Sequence, residues 1–178
     1  DTCWEAYIGH YVDTTAATSQ IECGPGTHQP NWGQSSCFDA DPGYYVDHNA
    51  SAEQYECVLG TFQPYSGQSS CLLANHGHYV NTNAATSQTA CAAGTYQANT
   101  GQSSCLDADA GYFVADPASD SQAACSPGTY QPSTAQSSCL DADAGHYVGT
   151  TAATSQTACA AGTYQPNTGQ TSCIDASE

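Results

Sequence analysis

The chain has no lysine, no arginine and no methionine in 178 residues. An ordinary soluble domain is roughly one-quarter charged, with both signs present; here all 17 formal charges are acidic. That one-sided balance removes a function class. Affinity for a phosphate backbone comes from Lys and Arg neutralising phosphates, so nucleic acid is not expected as a partner. It also removes side-chain ion pairs, except those a protonated histidine makes. Aliphatic residues are scarce as well: Leu, Ile, Val and Phe together number 17 of 178, a fraction that with this net charge ordinarily leaves a chain disordered. No apolar run comes near the ~18 residues of a transmembrane helix, and no secretory leader is visible. Asp1 is expected to begin a mature chain or a segment of one.

What the chain does have is cysteine, on one ruler. Eleven cysteines stand at 3, 23, 37, 57, 71, 91, 105, 125, 139, 159 and 173, with gaps that alternate 20, 14, 20, 14 throughout. The chain is therefore a tandem array with a 34-residue period: repeats 3–36, 37–70, 71–104, 105–138 and 139–172, and the start of a sixth at 173–178. Residues 81–106 and 149–174 share 21 of 26 identities. A fixed period means one small unit stacked on its neighbours rather than a single globular core. A disulfide closing a loop of about 15 residues is worth roughly 3 kcal/mol in the chain-entropy model. Such links offset the missing apolar surface, and they place the chain outside the cytosol.

Each repeat has two halves. The first holds a short β-prone stretch such as Gly77–Val80, then a segment rich in Ala, Thr and Ser. The second reads as a hairpin, with Gly94–Gln97 as one arm, Asn99–Gly101 as the turn and Gln102–Cys105 as the other arm, since Asn and Gly tolerate positive φ. Nothing shows helical periodicity. The expected fold is a small disulfide-rich one of short β-hairpins and turns, repeated five times into a linear rod. Two aromatic columns recur, Tyr11, Tyr45, Tyr79, Phe113 and Tyr147, and His28, Phe62, Tyr96, Tyr130 and Tyr164. With so few aliphatics, these rings are expected to pack the units together; a sugar-binding aromatic face is the alternative. Two glycine columns, one from Gly9 to Gly145 and one from Gly26 to Gly162, are expected to mark positive φ or close backbone approach. His10, His78 and His146 alternate with Tyr44 and Tyr112 at one repeat position. That two-repeat super-period fits either gene duplication or different surroundings for odd and even repeats.

Two regular disulfide pairings are possible. Either the short loops close, Cys23–Cys37, Cys57–Cys71, Cys91–Cys105, Cys125–Cys139 and Cys159–Cys173, leaving Cys3 over, or the longer loops close from Cys3–Cys23 onward. The short loop is favoured, because a turn at its centre brings together ends that must lie within about 7 Å. Cys-x-x-Gly-Thr-Tyr, followed after a glycine-containing turn by Ser-Cys, resembles the cysteine-rich repeats of ephrin-receptor-like and tumour-necrosis-factor-receptor-like extracellular regions, and those of microbial and algal surface proteins such as flagellar mastigonemes. The resemblance implies that the cysteine before Gly-Thr-Tyr pairs with the next one downstream. It departs from those repeats where they often carry Cys-x-x-Cys, because Cys37, Cys71, Cys105, Cys139 and Cys173 each stand alone here.

Other chemistry is thin. Asp39 and Asp41, Asp107 and Asp109, and Asp141 and Asp143 form D-x-D-x-G turns, whose carboxylates would suit Ca²⁺, but no loop completes a calcium-binding pattern and solvated acidic turns are the plainer reading. No cofactor or other metal site is expected: the histidines have no zinc spacing. A catalytic site normally occurs once, whereas Ser, His and Asp are plentiful here without a single-copy constellation, so no enzyme is expected. Asn49-Ala50-Ser51 is an N-glycosylation sequon, and Thr14, Thr15, Thr18, Thr82, Thr86, Thr150, Thr151 and Thr154 lie in segments suited to O-linked sugar or simply to hydroxyl-rich loops. The reading is an extracellular structural protein, part of a surface filament or stalk, whose partner is itself. Trp4, Tyr7 and Ile8 are expected at a head-to-tail junction, with Cys3 linked across it or buried in it. An adhesin or receptor-like binding module on a repetitive spacer is the alternative.

Overall fold

The computed structural model describes residues 4–176; Cys3 lies outside them. Among the described residues there is no helix, and twenty two-residue strands form ten two-stranded antiparallel sheets. His10–Tyr11 pairs with Ile21–Glu22, then Thr27–His28 with Phe38–Asp39, then Tyr44–Tyr45 with Tyr55–Glu56. The disulfide-rich hairpin fold expected from the spacing is therefore present, with a finer grain. Successive hairpins begin at His10, Thr27, Tyr44, Thr61 and onward at the same interval. Each repeat therefore contains two copies of one motif, and the structural step is half the cysteine period.

The strands of the second half lie differently from the expectation. Thr95–Tyr96 pairs with Leu106–Asp107, beyond the cysteine, rather than with Gln102–Cys105. The intervening segment, 97–105, is an open loop instead of a tight turn. The first half closes the same way, with its Ala/Thr/Ser segment as the loop. The described residues divide into two compact units, one of residues 4–75, 79–89 and 100–103, the other of residues 76–78, 90–99 and 104–176. Within each, the same contacts recur at every half-period.

The core is two columns of small side chains. The first alternates alanine and cysteine: Ala6, Cys23, Ala40, Cys57, Ala74, Cys91, Ala108, Cys125 and Ala142 are all buried. The second alternates glutamine and valine, from Gln29 and Val46 to Val148 and Gln165. The aromatic columns do not fill this core. Their rings are half-exposed, Tyr164 more so, and each faces the opposite strand of its own hairpin: Phe62 opposite Leu72, Tyr96 opposite Leu106, Tyr130 opposite Leu140. Small residues win the interior because backbone must meet backbone there. Odd and even repeats place His10, Tyr44, His78, Tyr112 and His146 in the same half-buried setting.

The glycine columns show how close that approach is. Gly43 has φ +87°, and a Cβ built on it would lie 2.2 Å from the carbonyl oxygen of Ala84 in the following repeat. Its N–H donates to Gln63 O at 2.7 Å and its C=O accepts from Cys57 N at 2.8 Å. The same contact joins Gly9 to Ala50, Gly26 to Gly67, and so on to Gly128 and Gly169. From Gly9 to Gly128 both properties expected of these columns, positive φ and close approach, are present together; Gly145 and Gly162 have the positive φ alone. The residues the columns touch also have positive φ: Gly67, Gly101 and Gly169, but alanine at 50, 84, 118, 135 and 152. An L-residue in that region costs roughly 1–2 kcal/mol.

Gly43→Ala is expected to lower stability by about 3 kcal/mol or more, since strain and a backbone clash add. Ala135→Gly, which restores the glycine its counterparts carry, is expected to raise it by roughly 0.5–1 kcal/mol, the relieved strain partly offset by the freer unfolded chain. Thermal and denaturant unfolding of both variants checks the pair; a destabilised Ala135→Gly would contradict the assigned backbone strain.

Candidate functional site

The five short loops are closed by disulfides Cys23–Cys37, Cys57–Cys71, Cys91–Cys105, Cys125–Cys139 and Cys159–Cys173, with Cα–Cα separations of 5.7–5.8 Å. Of the two pairings open from spacing, this is the favoured one, although the ends meet across a longer loop than the hairpin reading supposed.

Each loop is also fastened from inside by the glutamine that ends Gly-Thr-Tyr-Gln. Gln97 is buried, its Nε2 donates to Ser104 O at 2.8 Å, and its Oε1 accepts from Asn99 N at 3.0 Å. Gln29, Gln63, Gln131 and Gln165 make the same two bonds. A buried polar side chain is tolerable only when satisfied, and the amide is fully used because it can donate and accept at once. By residue type this glutamine passes for an ordinary strand residue; its presence in all five repeats is the available signal.

The other half-repeat has no cysteine pair. Half a period after Cys37, at the equivalent place, stands Gln54. Its Oε1 accepts from Asp41 N at 2.7 Å and its Nε2 donates to Asp41 Oδ2 at 2.7 Å. Gln122 holds Asp109 and Gln156 holds Asp143 in the same way. In the first and third repeats Gln20 and Gln88 keep only the backbone bond, to Tyr7 and Asn75. Covalent and hydrogen-bonded clasps thus alternate along the chain. The six carboxylates weighed for Ca²⁺ are exposed, three of them engaged by glutamine, and no three His, Cys, Asp or Glu of the described residues gather as a metal site. Asp47 accepts from His48 Nδ1 at 2.7 Å, a bond that holds its carboxyl below the ordinary aspartate value.

Asn49 and the eight threonines, Thr14, Thr15, Thr18, Thr82, Thr86, Thr150, Thr151 and Thr154, are all exposed. Trp4, Tyr7 and Ile8 are 84%, 45% and 41% exposed, and Tyr7 meets Trp32 edge-on at 5.0 Å. Trp4 and Tyr7 line a recess of about 650 Å³ with Val12, Ala16, Ala17 and Gly33; Ile8 does not.

The repeated backbone contacts stop short at two places. Gly26, Gly60, Gly94 and Gly128 are buried, but the equivalent Gly162 is exposed. Gly145 is only half-buried, where Gly43, Gly77 and Gly111 are buried. A Cβ built on Gly145 or Gly162 meets nothing within 4 Å. In the first repeat, Ala16 and Ala17 are exposed, whereas Ser51, at the position of Ala17, is buried. Neither a protein-family profile nor any curated protein sequence matches the chain.

Gln97→Leu leaves the Asn99 N–H and the Ser104 C=O, both in part-buried bonds, without this partner, each costing about 1 kcal/mol or more. A loss of roughly 2–4 kcal/mol is expected in chemical denaturation; a loss under about 0.5 kcal/mol would contradict the clasp. Reduction of all five disulfides is expected to abolish cooperative unfolding and native circular dichroism, since the core consists mainly of Ala, Cys, Val and Gln. Reduced chain that keeps its native spectrum would show that packing alone suffices.

Proposed function

We propose that the chain is an extracellular structural repeat protein, a segment or subunit of a surface filament or stalk that extends head to tail. Its work is to hold and space rather than to catalyse. The observation that carries this reading is the repetition of one backbone seat at every half-period, with the same hydrogen bonds and no insertion that breaks them. An extendable seat of this kind suits a protein whose length is its function. Five disulfides fit an oxidising, extracellular setting, and the resemblance to cysteine-rich repeats of surface proteins points the same way. A glycan coat on Asn49 and the exposed threonines would keep an acidic, loop-rich protein soluble and shielded from proteases.

The second reading, a ligand-binding module on a repetitive spacer, is favoured by one feature, the recess lined by Trp4 and Tyr7 in the first repeat. Electron microscopy of the native material separates the two: filaments are expected, and dispersed particles would overturn the structural reading. Intact mass is expected to exceed that of the bare 18.4 kDa polypeptide; an unmodified mass would remove the glycan coat.

A further inference from the structure

We infer that Asn49 takes N-linked sugar only before the first two repeats close on its sequon, so that at this site glycosylation precedes folding. The inference rests on the glycan part of the reading above and adds when the sugar is attached. The acceptor motif, Asn, any residue but proline, then Ser or Thr, asks for two side chains together. In the transfer the Asn amide nitrogen bonds to C1 of a sugar carried on a lipid diphosphate. The bond from C1 to the phosphate oxygen breaks, and the amide loses a proton. The hydroxyl two residues on is not part of the bond formed, yet the motif requires it. The transferase must therefore reach that hydroxyl as well as the amide.

The fold parts these two groups. Asn49 is exposed, whereas Ser51 is only 3% exposed. Between them Ala50 takes φ +56°, a turn that leaves Asn49 outside and carries Ser51 inside. Ser51 Oγ donates to Glu53 O at 2.6 Å and accepts from Glu53 N at 3.4 Å. The hydroxyl is thus hidden and engaged at once. The backbone around it is held too. Ala50 N donates to Cys23 O at 2.8 Å, and Ser51 O accepts from Gln29 N at 3.0 Å. Ala50 is also the residue whose carbonyl lies against Gly9. Exposing the hydroxyl therefore takes more than a side-chain rotation: the segment must leave its seat on the first repeat. All of these residues belong to one compact unit.

The seat exists once Cys23 is in place, and Cys23 is buried and joined to Cys37. Closing that disulfide and closing the sequon are parts of one folding event, so sugar transfer competes with it. A sugar already on Asn49 is compatible with the seat, because that residue stays at the surface. The threonines differ. Thr14, Thr82 and Thr150 are exposed, and O-linked transfer needs no second, buried group, so the folded chain remains open to it.

Purified oligosaccharyltransferase with a lipid-diphosphate-linked oligosaccharide tests this on the full chain, read by peptide mass. The reduced, alkylated chain is expected to be modified on Asn49 at least about tenfold faster than the oxidised, folded chain, because the folded chain must first open locally. Asn83→Thr supplies an open site for comparison. It gives up one exposed hydrogen bond, to Glu56 Oε1 at 3.0 Å, and makes Asn81 the acceptor of a sequon whose three positions are all exposed. On that folded variant Asn81 is expected to be modified and Asn49 left bare. The inference is overturned if the oxidised chain is modified on Asn49 as fast as the reduced one, or if the reduced chain is not modified there. It is overturned equally if Asn81 and Asn49 of the folded variant behave alike. Should Asn83→Thr fold poorly, the oxidised and reduced forms of the unaltered chain decide the matter alone. A native chain that carries no sugar would remove the glycan coat, whereas this ordering is read on purified components and stands or falls separately.

Discussion

The contact on which this structure depends is one strip of backbone lying on another with no side chain between them. Gly43 against Ala84 is the pattern, repeated to Gly128 against Gly169. At that distance any Cβ is excluded, so glycine is dictated on one side. On the other side the chain must take positive φ, and it does so with alanine as often as not. The backbone hydrogen bonds around each seat satisfy groups that the approach would otherwise strand away from water. The burial of alanine, cysteine and valine follows from the same geometry, because strips this close leave little room; the larger side chain buried beside them is the clasping glutamine.

A core so thin contributes little hydrophobic free energy per residue, and other links share the task. Each repeat carries one disulfide, from a buried core position to the end of the loop, and one glutamine clasp at the equivalent place half a period away. Cys37 and Gln54, Cys71 and Gln88, and Cys105 and Gln122 are half-buried alike. The covalent link acts mainly on the unfolded chain, while the amide acts on the folded one by occupying backbone groups. The alternation explains why the cysteine pair recurs once per repeat while the hairpin recurs twice.

Much of this is legible in the residues. Regular cysteines mark the repeat and favour the short-loop pairing, and the glycine columns mark both positive φ and close approach. The half-period is present too, in the offset between Tyr11 and His28 or between Gly9 and Gly26, but the cysteine pairs mask it because they close only one half. The second hairpin arm is easily misplaced because Gln102–Cys105 looks like a strand by position, whereas Leu106–Asp107 lies past the cysteine that seems to end the motif. The aromatic columns read as core on the rule that large apolar rings go inside. That rule yields where backbone fills the interior. The buried glutamines are invisible to it for the complementary reason: hydropathy places Gln outside unless its partners are known.

The missing lysine and arginine belong to the same design. Every described acidic residue is exposed, so no buried carboxylate calls for a cation. Where another protein would bridge segments with a charged side chain, this one uses a glutamine amide, which donates to one backbone group and accepts from another without charge. The interactions that hold one hairpin motif to the next are therefore almost wholly backbone and small residues, while neutral amides fasten each loop from inside. A seat that reads so little side-chain identity can accept any motif of the array. Such interchangeability is why the same contact recurs from Gly9 to Gly128 although the side chains around it change from repeat to repeat.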